Sequence, residues 1–336
     1  MPNPEITVIV PTLAAGEPLA ACIASLDAQT FRDFEIIVVD NSGTKLARRA
    51  LGDRNVVVIE NPDNVGFGAA VNQGIRASST PFVVVLNDDT VADPGWLEAM
   101  LRGLDGRPDV GMVAPQIRLG STGMLDSAGM LVCGDGSSRQ RGHGESPDRY
   151  PRRQEVLLPS GCAALYRREM LDEAGLFDPS FYLYCEDTDL GLRARWKGWE
   201  CLYVPSAIVQ HAYSSTAGRA SGTKAFYAER NRLFVLVKNF PIALLLLAPF
   251  YAMARYFWHV WWMWRGRGAA AEYTRSGGSA LKLPGYVFRA WLAMLREMRT
   301  LFRERHRIRK SARLTPKQYA RLLRRFSISP RQVARL

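Results

Sequence analysis

Over the first 90 residues the apolar positions gather into short continuous runs: ITVIV at 6–10, FEIIVVD at 34–40, NVVVIE at 55–60 and PFVVVL at 81–86. Between them lie segments with helical spacing, EPLAACIASLDAQ at 17–29 and FGAAVNQGIRAS at 67–78. Val/Ile runs without alternation predict strands buried on both faces, and the strand–helix–strand repetition predicts a parallel sheet. The pattern is that of a doubly wound α/β domain of nucleotide-binding type. Ligands of such sheets sit beyond the carboxyl ends of the strands. Those ends carry Pro11-Thr12, Asp40-Asn41 and Asn87-Asp88-Asp89.

From about 110 to 160 the chain turns Gly- and Ser-rich, which predicts irregular strands and a long mobile loop around 134–153, a lid or a disordered insert. The block from Val156 to His211 reads as strand, short helix, turn, a helix starting near Glu186, and two strands. Helical pattern returns near Lys224, and 240–264 is apolar and aromatic. Lys238 and Arg255 bracket 16 uncharged residues interrupted by Pro241 and Pro249, whereas a spanning helix needs about 20. Trp258, Trp261, Trp262 and Trp264 are followed at once by Arg265 and Arg267, a mixture suited to the headgroup boundary of a bilayer. Interfacial or re-entrant docking is therefore the expectation, with a core helix pair and a true span as the alternatives.

The make-up of 47% hydrophobic and 23% charged residues is that of a folded chain and excludes a disordered or collagen-like one. Charge sharpens the picture of the tail. Residues 265–336 hold 19 basic against 3 acidic side chains, leaving 25 against 29 in residues 1–264. Basicity thus belongs to a C-terminal appendage, which an anionic leaflet would attract by about 1 kcal/mol per nearby Lys or Arg. Nucleic acid is the poorer match, since the tail has few aromatics and no recognised module. Five cysteines without a C-x-x-C pair argue against a zinc site or a disulfide framework. The start, MPNPEITVIVPTL, lacks the layout of a secretory signal, so a reducing, cytoplasmic setting is expected.

The candidate chemistry lies at strand ends. Asp88 and Asp89 follow PFVVVL directly, where a hard divalent cation could share their oxygens with a diphosphate; an Asx turn ahead of the next helix is the other reading for Asp89. Asp40 suits a ribose or nucleobase, or simply a turn. The Asn64-Val-Gly66-Phe-Gly68 turn lets backbone N–H groups approach a ligand, or serves the turn alone. Asp187, beside Glu186 at a helix start, is either a general base or a dipole partner. His211 is a metal ligand or a packing residue. Arg230 contacts a diphosphate or an acidic surface. Trp196 and Trp199 are sugar-stacking or core residues.

Taken in order, VIVPTL, VVDNSG, NVGFGAAVNQGI, VVLNDDT, PSGCAALYRREMLDEAGLFDPSFYLYCEDTDLGLRARWKGW, H-x-x-x-S and RN resemble family 2 glycosyltransferases with the GT-A fold. Among these they are most similar to bacterial rhamnosyltransferase-type enzymes. The resemblance covers roughly residues 5–240. It implies a GT-A catalytic domain over 1–230, with a nucleotide-sugar half at 1–110 and an acceptor half at 111–230, then a basic helical membrane-association region at 231–336. It further implies donor contacts at Pro11, Asp40, Asn64, Gly66, Asn72, Asp88 and Arg230, and acceptor contacts at Glu186, Trp199 and Gly161. Asp187 is then the base, and Asp89 with His211 holds Mg2+ or Mn2+. The family's usual D-x-D stands here as Asn87-Asp88-Asp89, without the first carboxylate. The implied reaction is an inverting transfer from dTDP-rhamnose or a UDP-sugar to a polyprenyl-diphosphate-linked glycan, at the cytoplasmic face of the cell membrane. A pyrophosphorylase would carry a basic Gly-rich loop after its first strand, and PTLAAGEPLA offers no Lys or Arg. A non-catalytic nucleotide-sugar-binding scaffold is the alternative from another class.

Overall fold

The apolar runs fold as strands β1 (Ile6–Thr12), β2 (Phe34–Asp40), β3 (Val57–Glu60) and β4 (Phe82–Leu86), all mutually parallel where they pair. A computed structural model of the chain describes residues 4–52, 54, 56–212 and 221–335. The sheet continues through β5 (Thr90–Ala92), β6 (Val110–Leu119), β7 (Leu125–Ser127), β10 (Gln154–Val156), β11 (Ala163–Arg167) and β12 (Glu200–His211). Its strand order is β10-β12-β6-β11-β4-β1-β2-β3, with β5 on β12 and β7 on β6. The long registers, β1 with β2 and β6 with β12, are parallel, whereas β11 runs antiparallel between β4 and β6.

Burial on both faces follows from side-chain alternation. Val8, Val10, Val84 and Leu86 point into one core with helices α1 (Glu17–Asp27) and α4 (Trp96–Arg102). Ile9, Val83 and Val85 point into the other with α3 (Phe67–Ala77), α5 (Arg168–Ala174) and α6 (Glu186–Trp196). A short helix, α2 (Leu46–Leu51), follows β2.

Two expectations differ from the structure. The region after α6 forms one 12-residue strand, not two, because a bulge between Val204 and Ile208 absorbs the break. The 134–153 stretch is no mobile loop. It contains β9 (Ser138–Gln140), paired with β8 (Met130–Val132), and a 3-10 turn at Pro147–Arg149. Arg141 anchors its second half, donating to the Ala128 carbonyl at 2.7 Å with its guanidinium 4.5 Å from the Tyr150 ring centre.

The chain divides into two units: one holds the sheet, the other comprises residues 131–139, 195–198 and 217–336. The second is helical: α7 (Gly222–Asn239), α8 (Ile242–Trp264), α9 (Gly268–Arg275), α10 (Leu283–Arg296), α11 (Met298–Lys310), α12 (Pro316–Arg325) and α13 (Pro330–Arg335). Among its buried charges Asp135, Glu229, Arg232 and Arg255 form one cluster. Arg255 Nε donates to Asp135 Oδ2 at 2.5 Å and its Nη2 to Glu229 Oε2 at 2.8 Å, while Arg232 also pairs with Glu229.

Helix α8 divides by face. Ala248, Ala252, Arg255 and Trp262 are buried, whereas Ile242, Leu246, Phe250, Met253, Phe257, Val260 and Trp264 recur every three or four residues as an exposed apolar stripe. The helix is long and apolar enough to cross a membrane by length and composition.

Candidate active site

The carboxyl edge of the sheet gathers the acidic candidates because β4 runs directly into Asn87-Asp88-Asp89. Thr12, at the end of β1, donates its hydroxyl to Asp88 Oδ2 at 2.6 Å. Burial pushes the Asp88 carboxyl above its usual range, and the Thr12 hydroxyl holds that shift back. Asp89 is buried, and its Oδ1 lies 3.3 Å from Nε2 of His211. His211 is the last residue of β12, where it pairs in register with Thr90 and Leu119. Its other ring nitrogen, Nδ1, is 2.8 Å from Oδ2 of Asp126 on β7. Ligand-type atoms of Asp126, Cys162 and His211 all fall within 4.8 Å of one another. Burial disfavours the imidazolium, but Cys162 and the Asp126 and Asp89 carboxylates outweigh it, so the His211 pKa is raised.

A second carboxylate group adjoins the first through the chain itself. Gly161, one residue before Cys162, donates its backbone N–H to Asp187 Oδ2 at 2.8 Å. Asp187 Oδ1 accepts from the Thr188 N–H at 2.6 Å. Glu186 beside it is buried, and its Oε2 has no hydrogen-bond partner among the described residues. Burial pushes both carboxyls up; the neighbouring Asp187 charge adds to the shift at Glu186, and the Gly161 and Thr188 N–H groups restrain it at Asp187. The approach to this pair is strained: Tyr182, Tyr184 and Cys185 adopt φ of 61°, 70° and 67°, a conformation that costs non-glycine residues of order 1–3 kcal/mol each and clusters at functional sites.

A carboxylate and an imidazole nitrogen facing one another at 3.3 Å form a donor set that suits a divalent cation. Asp187, raised and held by N–H donors, suits a base. Residues 7–175 match the family model "Glycosyl transferase family 2". The chain belongs to this family.

This glycosyltransferase is 31% identical over 244 residues to the N-acetylglucosaminyl-diphospho-decaprenol L-rhamnosyltransferase of Mycobacterium tuberculosis, covering 64% of this chain and 78% of that one. It is 28% identical over 228 residues to the pre-mycofactocin glycosyltransferase of the same organism, covering 66% and 46%. In fold it is similar to a crystal structure of GalNAc-T7 with UDP, GalNAc and Mn2+, at a TM-score of 0.58 and 15% identity over 70% of this chain and 48% of that one. It is also similar to the mannosyltransferase PcManGT from Pyrobaculum calidifontis in complex with GDP-Man and Mn2+, at 0.50 and 17% over 91% and 85%. The fold is of GT-A type.

The glycosyltransferase places Asp89 beside His211, Asp88 on Thr12 and Gly161 on Asp187, and the other candidates make the following protein contacts. Asn72 is buried and exchanges two hydrogen bonds with the Phe177 backbone, at 2.7 and 3.0 Å, so it ties α3 to the loop ahead of α6. Trp199 packs in the core, and its indole N–H donates to Glu173. Trp196 is likewise wholly buried, stacked 3.7 Å from the Tyr319 ring with Arg309 over its face. Gly66 is required by its protein surroundings: at φ 87° a Cβ there would lie 2.6 Å from the Tyr182 carbonyl oxygen. Asn64 accepts from the Gly66 N–H and shapes that turn. Both Asp40 oxygens accept backbone N–H groups, from Ser42 and Ala47, and so brace the turn into α2. Pro11 is buried within β1 opposite Val39. Arg230 lies on α7 in the second unit, 4.8 Å from the Tyr227 ring centre and 5.0 Å from that of Phe234. The serine-rich turn after His211 lies outside the described residues.

Sequence reasoning passed over Asp126 and Cys162. Asp126 sits in LDSAG within the Gly/Ser-rich stretch, where no period or spacing distinguishes it. Only the pairing of β7 with β6, next to β12, carries it to His211.

Proposed function

We propose that this glycosyltransferase transfers a sugar, rhamnose from dTDP-rhamnose first and a UDP-sugar second, to a hydroxyl of a polyprenyl-diphosphate-linked glycan with inversion at the anomeric carbon. The observation that carries the reading is the tripeptide Ser160-Gly161-Cys162. Its glycine N–H holds Asp187, while its cysteine adjoins His211 and Asp126, which supports a base and a cation ligand close along the chain. The likeness to the decaprenol rhamnosyltransferase supports the donor and acceptor class.

Asp187 takes the proton of the acceptor hydroxyl as that oxygen bonds to the anomeric carbon. The bond from that carbon to the diphosphate oxygen breaks, and its electron pair leaves with the nucleotide. Burial raises the Asp187 pKa, which makes the carboxylate a better proton acceptor near neutral pH. Asp89 and His211 would hold Mg2+ or Mn2+, and the bound cation supplies positive charge beside the departing diphosphate. Asp88, tied to Thr12, faces the ribose side of the donor.

The apolar stripe of α8 and the basic residues of 265–336 support docking of the second unit in the plane of the cytoplasmic leaflet. Arg255 supports lying over spanning, because its charge is buried against Asp135 and Glu229 on the inner face of the same helix. The test is nucleotide release and sugar transfer across a panel of dTDP- and UDP-sugars with Mg2+, Mn2+ or EDTA, with and without a polyprenyl-diphosphate glycan. Metal-dependent release from one donor, enhanced by the lipid acceptor, is expected. Turnover that is indifferent to EDTA and to lipid would overturn the metal and acceptor assignments.

A further inference from the structure

We infer that Asp126 is a positioning residue for the cation site, holding His211 with Nδ1 turned inward so that Nε2 faces Asp89. The inference rests on the cation reading above. Oδ2 of Asp126 lies 2.8 Å from His211 Nδ1, and Nε2 lies 3.3 Å from Asp89 Oδ1. The imidazole is therefore set between two carboxylates, one at each nitrogen. Nε2 is the nitrogen that faces Asp89, and Cys162 also lies beside the ring.

Three further observations fit a built support. Asp126 is wholly buried at the centre of β7, so its orientation is fixed by the sheet. Its other oxygen, Oδ1, lies 3.1 Å from His143 Nδ1, which satisfies the second side of the carboxylate. The backbone fixes the histidine too: the N–H of Ala212, the next residue, donates to the Asp89 carbonyl at 2.9 Å. Metal-ligating histidines commonly give their second nitrogen to a carboxylate, which fixes the tautomer and ring orientation. Loss of such a partner typically lowers metal affinity 10- to 100-fold.

The probe is Mn2+ titrated into the full chain with UDP and, in parallel, with dTDP, read from the free-ion electron paramagnetic resonance signal. Asp126→Asn is expected to raise the Mn2+ Kd by about 10- to 100-fold. Pulsed resonance on the parent should show 14N coupling from a bound imidazole, and that coupling should be lost in Asp126→Asn. Asp126→Ser serves in the same measurements if the asparagine chain does not fold. An unchanged Mn2+ Kd in Asp126→Asn, while Asp89→Asn weakens binding, would overturn the inference and leave the cation site standing. Weakened binding with the 14N coupling intact would make Asp126 a direct ligand and also overturn it. If neither Asp89→Asn nor Asp126→Asn alters Mn2+ binding, the cation reading itself falls.

Discussion

Replacing Asp135 by alanine removes one of two carboxylates from the buried cluster of the second unit and leaves Arg232 and Arg255 facing Glu229 alone. The side chain is fully buried, with Arg255 Nε at 2.5 Å and the Ser137 N–H at 3.1 Å, so neither water nor another acid replaces it. Breaking one partner of a buried pair costs about 3–5 kcal/mol, whereas exchanging both partners for apolar groups is often neutral. Asp135→Ala should therefore lower the melting temperature of the second unit by roughly 10 °C, and Asp135→Ala/Arg255→Leu should recover much of the loss. Urea unfolding followed by tryptophan fluorescence reads this, since Trp258, Trp261, Trp262 and Trp264 all belong to that unit. Acid provides an independent arm. Burial opposes the Glu229 charge, but Arg232 and Arg255 outweigh it and bring its pKa down to about 2; Asp135 is held low by the same arginines. Carboxyls depressed on folding stabilise above their unfolded pKa near 4 and lose that contribution as pH falls through the folded value. The second unit should thus weaken between about pH 4 and pH 2. A cost for Asp135→Ala below about 1 kcal/mol, or no gain in the double variant, would refute the network account.

Phe250→Glu/Phe257→Glu removes two exposed rings from the outer stripe of α8. At about 1.5–3 kcal/mol per buried ring, binding to anionic vesicles should fall by roughly 100-fold or more in sedimentation, and unchanged binding would exclude this face. Asn72→Ala should cost about 1–3 kcal/mol in stability through the Phe177 backbone it leaves unpaired while leaving the donor KM in place; a raised KM without a stability cost would restore a donor role. The pH profile of kcat/KM should rise through a value above the ordinary aspartate range, because burial raises Asp187 and only its ionised form accepts a proton. An acid limb at the ordinary value would contradict that assignment.

The parallel half of the sheet was legible because its runs are continuous and its edge residues follow the strands directly: Phe34–Asp40 forms over the stretch read from sequence, and Asp89 lies where PFVVVL delivers it. Glu186, Asp187 and His211 were readable as a resemblance, since their order along the chain carries the signal. What escaped was whatever depends on pairing between distant segments. Asp126 reaches His211 across 85 positions, and the 134–153 stretch is ordered by Arg141 between Tyr150 and Tyr203, neither of which a local period records. The protein contacts of Asn72, Trp199 and Gly66 escaped for a related reason. A buried amide, an indole or a glycine beside a motif looks the same in sequence whether it touches ligand or a neighbouring loop.

The assignment of Asp187 as the base is the centre of the account, and single-turnover transfer by Asp187→Asn tests it most directly. The variant keeps the shape of the side chain and can still accept the Gly161 N–H through its amide oxygen, but it cannot take a proton. Transfer should fall by about 10²- to 10⁴-fold, with the affinity for donor nucleotide close to that of the parent. Transfer within a few-fold of the parent rate would contradict the assignment and require a base elsewhere.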